Sequence, residues 1–500
     1  MRRTPKLRPL VSLLALVSTV AITLPASAVG NPHRASDSPG LTSPYVANLY
    51  AQVPGTRPWQ NPQGFEKQDT QIQQAGLHWK YAWLAWSDIE IAPGTYNWGM
   101  LDSFVESAHD HGINLILQVM VSAWGNPIPW APPARQNSVN PGVTPLPVDL
   151  APLKAFWTAM VHRYKPGGVL AQQDNWVDYG VRVYEVENEP DNAPWWGEWT
   201  KVPLDYAQYL SVITPAAHAE YPDVVINGGA LSQQDASGNN GLGWLDRILG
   251  PGSADSPWAT DTYRASPTHP SAGPYLDAVS WHRDTSNSGD GSIPLRIAQL
   301  KAILARHSSG QADPSRADTP LYFSEGGPLQ YASDYQRYGW AETALLAELL
   351  GGGVDRMVVS FSAQTNASDW TTTPICLISH LFARLFPTAG NVVEASDLLD
   401  SKDAVGYRRT DPKTGLHTWV VWAKYLPSNS PLPSNVNPPV STSTVKPGPD
   451  FVVHLPIDTH KVEVVGPDWT SHVTTVSGGQ LALTLHSDEV SPTFIVAEQR

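Results

Sequence analysis

At 500 residues the chain is two to three times an ordinary domain, so two or three folding units, or one large barrel with an accessory module, are expected. Only 16% of its residues are charged while Trp (20) and Pro (46) are frequent, which is too apolar for disorder and ample for a large core. A formal charge of −14 argues against a polyanion as main partner, nucleic acid included, and favours a neutral ligand.

Residues 1–28 read as a secretory signal peptide. Arg2, Arg3, Lys6 and Arg8 form a positive stretch, Leu10 to Leu24 an apolar one, and Ala26-Ser27-Ala28 a cleavage site. A secreted, extracellular protein is therefore expected, with no membrane attachment after cleavage. Residues 29–40 read as a flexible tail. Cys376 is the only cysteine, which excludes an intramolecular disulfide and multi-thiolate metal binding and suits a small buried hydrophobe.

From residue 41 short apolar runs alternate with helical periodicity. The expected strands are Tyr45 to Tyr50, Trp79 to Ala85, Ile113 to Met120, Val181 to Val186, Val224 to Ile226, Ala278 to Ser280, Leu321 to Ser324 and Met357 to Phe361. Between them lie helical patterns such as Leu101, Phe104, Val105 and Ala108, then Leu153 to Tyr164, Tyr206 to Ala219, a segment around Ile297 to Leu304, Tyr335 to Leu350 and Ile375 to Phe386. Strands alternating with amphipathic helices imply parallel pairing through right-handed crossovers, and eight such units over 41–388 predict a (β/α)8 TIM barrel. A doubly wound open sheet is the rival, but no Gly-rich phosphate turn follows an early strand.

Over 389–500 the period shifts to β-branched alternation. Asn391 to Glu394, Ala404 to Arg408, Leu416 to Ala423, Phe451 to Leu455, Lys461 to Val465, Leu481 to Leu485 and Thr493 to Val496, with turn residues between them, predict a β-sandwich. Within it, 426–450 is a Pro/Ser-rich excursion with too little apolar content to pack. The fold class is thus α/β, a barrel followed by a C-terminal β-sandwich.

In such a barrel the chemistry belongs at the C-terminal ends of the strands. The fourth strand ends Glu185-Val186-Glu187-Asn188-Glu189-Pro190 and the seventh Ser324-Glu325-Gly326-Gly327. Two rim carboxylates from different strands can face one another, and glycosidic bond cleavage needs such a pair. Alternation places Glu185, Glu187 and Glu189 on one side of the strand. Glu185 is then expected to be structural, and the charge of Glu187, if it shares the pocket, would favour protonation of Glu189.

Asn188-Glu189-Pro190 after strand four, with Glu325 ending strand seven, resembles the retaining glycoside hydrolases of clan A. The segment Trp86-Ser87-Asp88-Ile89-Glu90, Pro93-Gly94-Thr95-Tyr96-Asn97-Trp98, Leu101-Asp102 looks like that clan's second-strand signature, and with the trailing sandwich the closest likeness is to family 39, the β-xylosidase and α-L-iduronidase group. The resemblance implies a glycosidase without a cofactor or metal, acting on oligo- or polysaccharide. In it Glu325 would be the nucleophile and Glu189 the acid/base, with Asn188 at the sugar 2-hydroxyl and His282 near the nucleophile. The chain departs from the pattern with Tyr81 where relatives usually carry Arg, Glu187 where they carry Trp, and Arg283 where an aromatic follows the His.

Trp281, Trp124 and Trp370 are the further candidates for the sugar site, with Trp130, Trp195, Trp196 and Trp199 on the same set of loops. His109-Asp110-His111 suits a solvated helix end better than a metal site. A carbohydrate-binding barrel that has lost catalysis is the alternative, as is an endo-acting glycanase of the same clan. Sugar, linkage and oligomeric state are not encoded in these patterns.

Overall fold

The computed structural model describes residues 41–48, 62–120, 150–191, 203–232, 241–249, 275–284, 293–308, 319–327, 335–360, 371, 373–423, 450–486 and 492–497. The signal peptide, the 29–40 tail, nearly all of the Pro-rich excursion, and Trp124, Trp130, Trp195, Trp196, Trp199 and Trp370 lie outside these residues, as does the side chain of Glu325.

Eight parallel strands close into a barrel: β1 (Tyr45–Asn48), β2 (Trp79–Ala85), β5 (Asn114–Met120), β6 (Val183–Val186), β7 (Val225–Leu231), β8 (Ala278–Asp284), β9 (Leu321–Gly327) and β10 (Arg356–Ser360), with β10 returning to β1. A small hairpin, β3 (Glu90–Ala92) and β4 (Thr95–Tyr96), follows β2. The helices outside the barrel are α1 (Pro62–Gln74), α2 (Trp86–Ile89), α3 (Gly99–Asp110), α4 (Leu150–Tyr164), α5 (Val169–Gln173), α6 (Pro203–Glu220), α7 (Gly241–Ile248), α8 (Ile293–Ser308), α9 (Tyr335–Gly351) and α10 (Pro374–Leu385).

Strand alternation sorts the side chains. Val46, Trp79, Tyr81, Ile116, Val183, Ala278, Tyr322 and Val358 fill the barrel interior, while their neighbours Leu115, Tyr184, Val279 and Phe323 join the larger core under the helices. The interior is apolar low down and turns polar one layer higher, at Gln118, Glu185 and Asn227, all fully buried. That change of chemistry lies just beneath the rim where strands become loops.

Helix α1 lacks the wholly apolar inner face seen in α3. The buried face of α1 carries Gln68, Asp69 and Gln71 beside Phe65 and Ile72, because Asp69 reaches β2 to bind Lys80 Nζ at 2.6 Å. Helix α7 is eight residues long and begins at a glycine.

After α10 the chain enters two antiparallel sheets. The larger has the order β11-β12-β13-β18-β15-β16, formed by Val392–Glu394, Ala404–Thr410, His417–Ala423, Thr493–Ala497, Lys461–Val465 and Ser471–Thr475. The smaller pairs β14 (Phe451–Pro456) with β17 (Gln480–Leu485). Trp419, Val421, Val453, Leu455, Leu481 and Ile495 form the core between them. The other face of the large sheet carries Tyr407, Val420, Trp422 and Phe494, which merge with the barrel core. Phe494 meets Phe382 of α10 edge-on at 5.7 Å, and Trp340 Nε1 of α9 donates to Pro467 O at 2.8 Å. Strand β16 was not expected from sequence, since Ser471 to Thr475 is polar and mostly exposed, as an edge strand can be.

Candidate active site

The site grows from the end of β6. Glu185, its last interior residue, is fully buried and accepts hydrogen bonds from the Tyr81 hydroxyl, from Gln118 Nε2 at 2.9 Å and from Asn227 Nδ2 at 2.6 Å. Three strands thus contribute a donor to one carboxylate, which compensates for its loss of water. Tyr81, where the family pattern has Arg, supplies a neutral donor at this point.

Beyond Val186 the strand geometry breaks. Glu187 takes φ +65° and Glu189 φ +46°, left-handed values that cost a non-glycine residue on the order of 1 kcal/mol each. This break separates the three glutamates that alternation would align. Glu187 turns to the helix layer, where the Tyr209 hydroxyl of α6 donates to its Oε1 at 2.9 Å. The twist is held by backbone bonds from Glu187 N to Val119 O and from Glu189 N to Ala230 O. Gln118 Nε2 also lies 3.0 Å from Glu187 O and 3.1 Å from Asn188 Oδ1, so one amide joins the buried carboxylate to the rim.

Glu189 is at the rim and keeps 20% of its side chain exposed. Its Oε1 lies 3.1 Å from Nδ1 of His282, a β8 residue that is itself 5% exposed. His282 also sits beside Glu325 in the backbone ladder: Trp281 pairs with Phe323, then the register shifts and His282 pairs with Glu325. The extra residue, Ser324, is a bulge, a device that re-aims a strand end beside a site.

Two carboxylate-bearing positions, Glu189 and Glu325, thus flank one histidine at the C-terminal ends of the fourth and seventh barrel strands. Of the residues expected to line the site, Asn188 and His282 are gathered with Glu189. Glu187 is not, and neither is Trp281. Alternation between the interior residues Ser280 and His282 turns Trp281 to the helix side, where it is fully buried against Phe323 with ring centroids 5.6 Å apart.

Sequence reasoning missed Gln118, Asn227, Asp191 and Ser232. The signal for the first two was present: a Gln in Leu-Ile-Leu-Gln-Val-Met and an Asn after Val-Ile are polar residues in otherwise buried strands. Asp191 is 4% exposed and accepts from Ser232 N at 2.7 Å and Ser232 Oγ at 3.2 Å. Burial and the nearby charge of Glu189 push its carboxyl up to about 7, against the opposing pull of the Ser232 bonds. Among the described residues no group of three His, Cys, Asp or Glu side chains could hold a metal ion. His109, at the end of α3, stacks on Trp176 at 4.2 Å.

Neither a protein-family model nor a curated protein sequence matches the chain. Solved structures do share its fold. A family 39 glycoside hydrolase from the gut symbiont Bacteroides cellulosilyticus WH2 superposes with a TM-score of 0.57 over 91% of this chain and 81% of that one, at 15% identity. A family 39 β-xylosidase from Caulobacter crescentus gives 0.53 over 93% and 98%, at 13% identity. A family 51 α-L-arabinofuranosidase from Bifidobacterium longum gives 0.54 over 92% and 95%, at 12% identity. The chain therefore has the barrel-and-sandwich fold found in these glycoside hydrolases.

Proposed function

We propose that the protein is a secreted glycoside hydrolase that cleaves O-glycosidic bonds of oligo- or polysaccharides with retention. The observation that carries this reading is the placement of Glu189, behind Asn188 and bonded to His282, across from the strand end that bears Glu325. In the first step Glu325 attacks the anomeric carbon while Glu189 gives its proton to the departing oxygen, leaving a glycosyl-enzyme ester. In the second, Glu189 takes a proton from water, which attacks the same carbon and releases Glu325. Asn188, anchored through Gln118, is assigned to the sugar 2-hydroxyl. Likeness of fold to a β-xylosidase and an arabinofuranosidase makes pentosides the first substrates to try.

A panel of 4-nitrophenyl glycosides and polysaccharides tests the reading. Release of nitrophenol or reducing sugar should depend on both carboxylates. Azide should rescue Glu189→Ala to a product of retained configuration and Glu325→Ala to an inverted one; the reverse pattern would exchange the two roles. Retention also requires the carboxyl groups about 5 to 5.5 Å apart, against roughly 6.5 to 9.5 Å for inversion. A wild-type protein inert on the whole panel would leave the carbohydrate-binding barrel as the better reading.

A further inference from the structure

Glu189 holds a left-handed backbone conformation, and something must keep it there. Its amide bond to Ala230 O is one restraint, and Ala230 is itself left-handed at φ +33°. The second restraint lies two residues further along on each segment. Asp191 accepts from both the amide and the hydroxyl of Ser232, tying the turn after β6 to the end of β7. The contact is closely packed: a Cβ placed on Gly241, at the start of α7, would come within 2.8 Å of Asp191 Oδ2 and 2.9 Å of Leu231 Cβ. Glycine at 241 therefore lets α7 close over the Asp191–Ser232 pair, leaving the carboxylate 4% exposed.

We infer that Asp191 is a positioning residue for Glu189: clasped by Ser232, it fixes the turn that aims the Glu189 carboxyl at His282 and at the departing group. The inference rests on the reading of Glu189 as the acid. The charged or titratable groups facing Asp191 among the described residues are Glu189 and the Tyr206 hydroxyl, both of which interact with it electrostatically.

A misaimed acid has a signature that general loosening lacks. Protonation matters for a poor leaving group and hardly at all for a good one. In the full-length protein, Asp191→Ala should lower kcat/KM on the order of 100-fold for a phenyl glycoside. For the 2,4-dinitrophenyl glycoside of the same sugar the loss should stay within about threefold. Asp191→Asn, whose amide can still accept from Ser232 N and donate to Ser232 Oγ, should restore most of the loss. Ser232→Ala, a milder change should Asp191→Ala fail to fold, should shift the two substrates in the same unequal way. Equal losses on both substrates, or none, would overturn the inference.

A readout independent of turnover is the His282 ring, assigned by its absence in a His282→Ala spectrum of histidine-labelled protein. Its nitrogen shifts should move in Asp191→Ala and stay in place in Asp191→Asn, and an unmoved signal in Asp191→Ala would count against the clasp. Glu189→Gln separates the two readings. If it retains full activity on the phenyl glycoside, the acid assignment fails. If it is inactive while Asp191→Ala is unaffected, the clasp alone fails.

Discussion

A carboxyl raised to about 7 in the folded chain, as Asp191 is, leaves a mark on stability. In the unfolded chain an aspartate titrates near ~4, so between those two values the folded state holds the extra proton. Stability is then lost as pH rises from about 4 to 7. Urea unfolding of wild type and Asp191→Asn at pH 4.5 and 7 should show a smaller decline with pH in the variant, and parallel declines would refute this. Gln118 is the other residue whose loss should be felt twice. Gln118→Leu withdraws a donor from buried Glu185 and the anchor from Asn188, and should cost about 1–3 kcal/mol of unfolding free energy. It should also lower kcat more than it raises KM, since a 2-hydroxyl contact tightens in the transition state. An unchanged kcat would detach Gln118 from the site.

The β3–β4 hairpin shows what a sequence signature can encode. Glu90 Oε1 accepts from Gly94 N at 2.6 Å and its Oε2 from the Trp86 indole, so one buried carboxylate closes the turn. Trp86 stacks on Phe156 of α4 at 5.3 Å, Trp98 on the same ring at 6.3 Å, and Asp102 binds Arg163 and Tyr164 at the other end of α4. The signature that carried the resemblance is thus a packing device joining β2 to α4. Glu90→Ala should lower thermal stability, by about 1–3 kcal/mol, with KM unmoved; a raised KM would place the hairpin at the substrate. The same elements explain what was legible. Barrel strands could be read because burial on both faces makes them continuous apolar runs. That Asn188 and Glu189 lie just past a barrel strand could be read because the strand run is stopped by Pro190, which cannot continue the ladder. Helix α1 could not, since its inner face answers Lys80 with Asp69. The parting of Glu187 from Glu189 could not either, because a left-handed residue leaves no trace in period-two alternation.

Across the whole molecule the sandwich and barrel share one continuous core. Only six residues separate α10, ending at Leu385, from β11 at Val392, and the large sheet lays Tyr407, Trp422 and Phe494 against α9 and α10. Truncation after Phe386 should therefore expose a broad apolar surface and give an aggregating or unstable barrel, as judged by soluble yield and light scattering. A soluble, fully active barrel would show that the sandwich is an independent appendage.

The closed barrel also sets a clock. β1 depends on β10 for one of its two ladders, Tyr45 donates to Phe386 O, and Arg356 Nη2 bonds Leu41 O across 315 residues of sequence. At about 5–20 residues per second of synthesis, the first strand waits roughly 15–60 s for its partner to be made. A chain exported while unfolded would turn that delay to advantage, since the ring cannot shut before nearly the whole barrel has been threaded out.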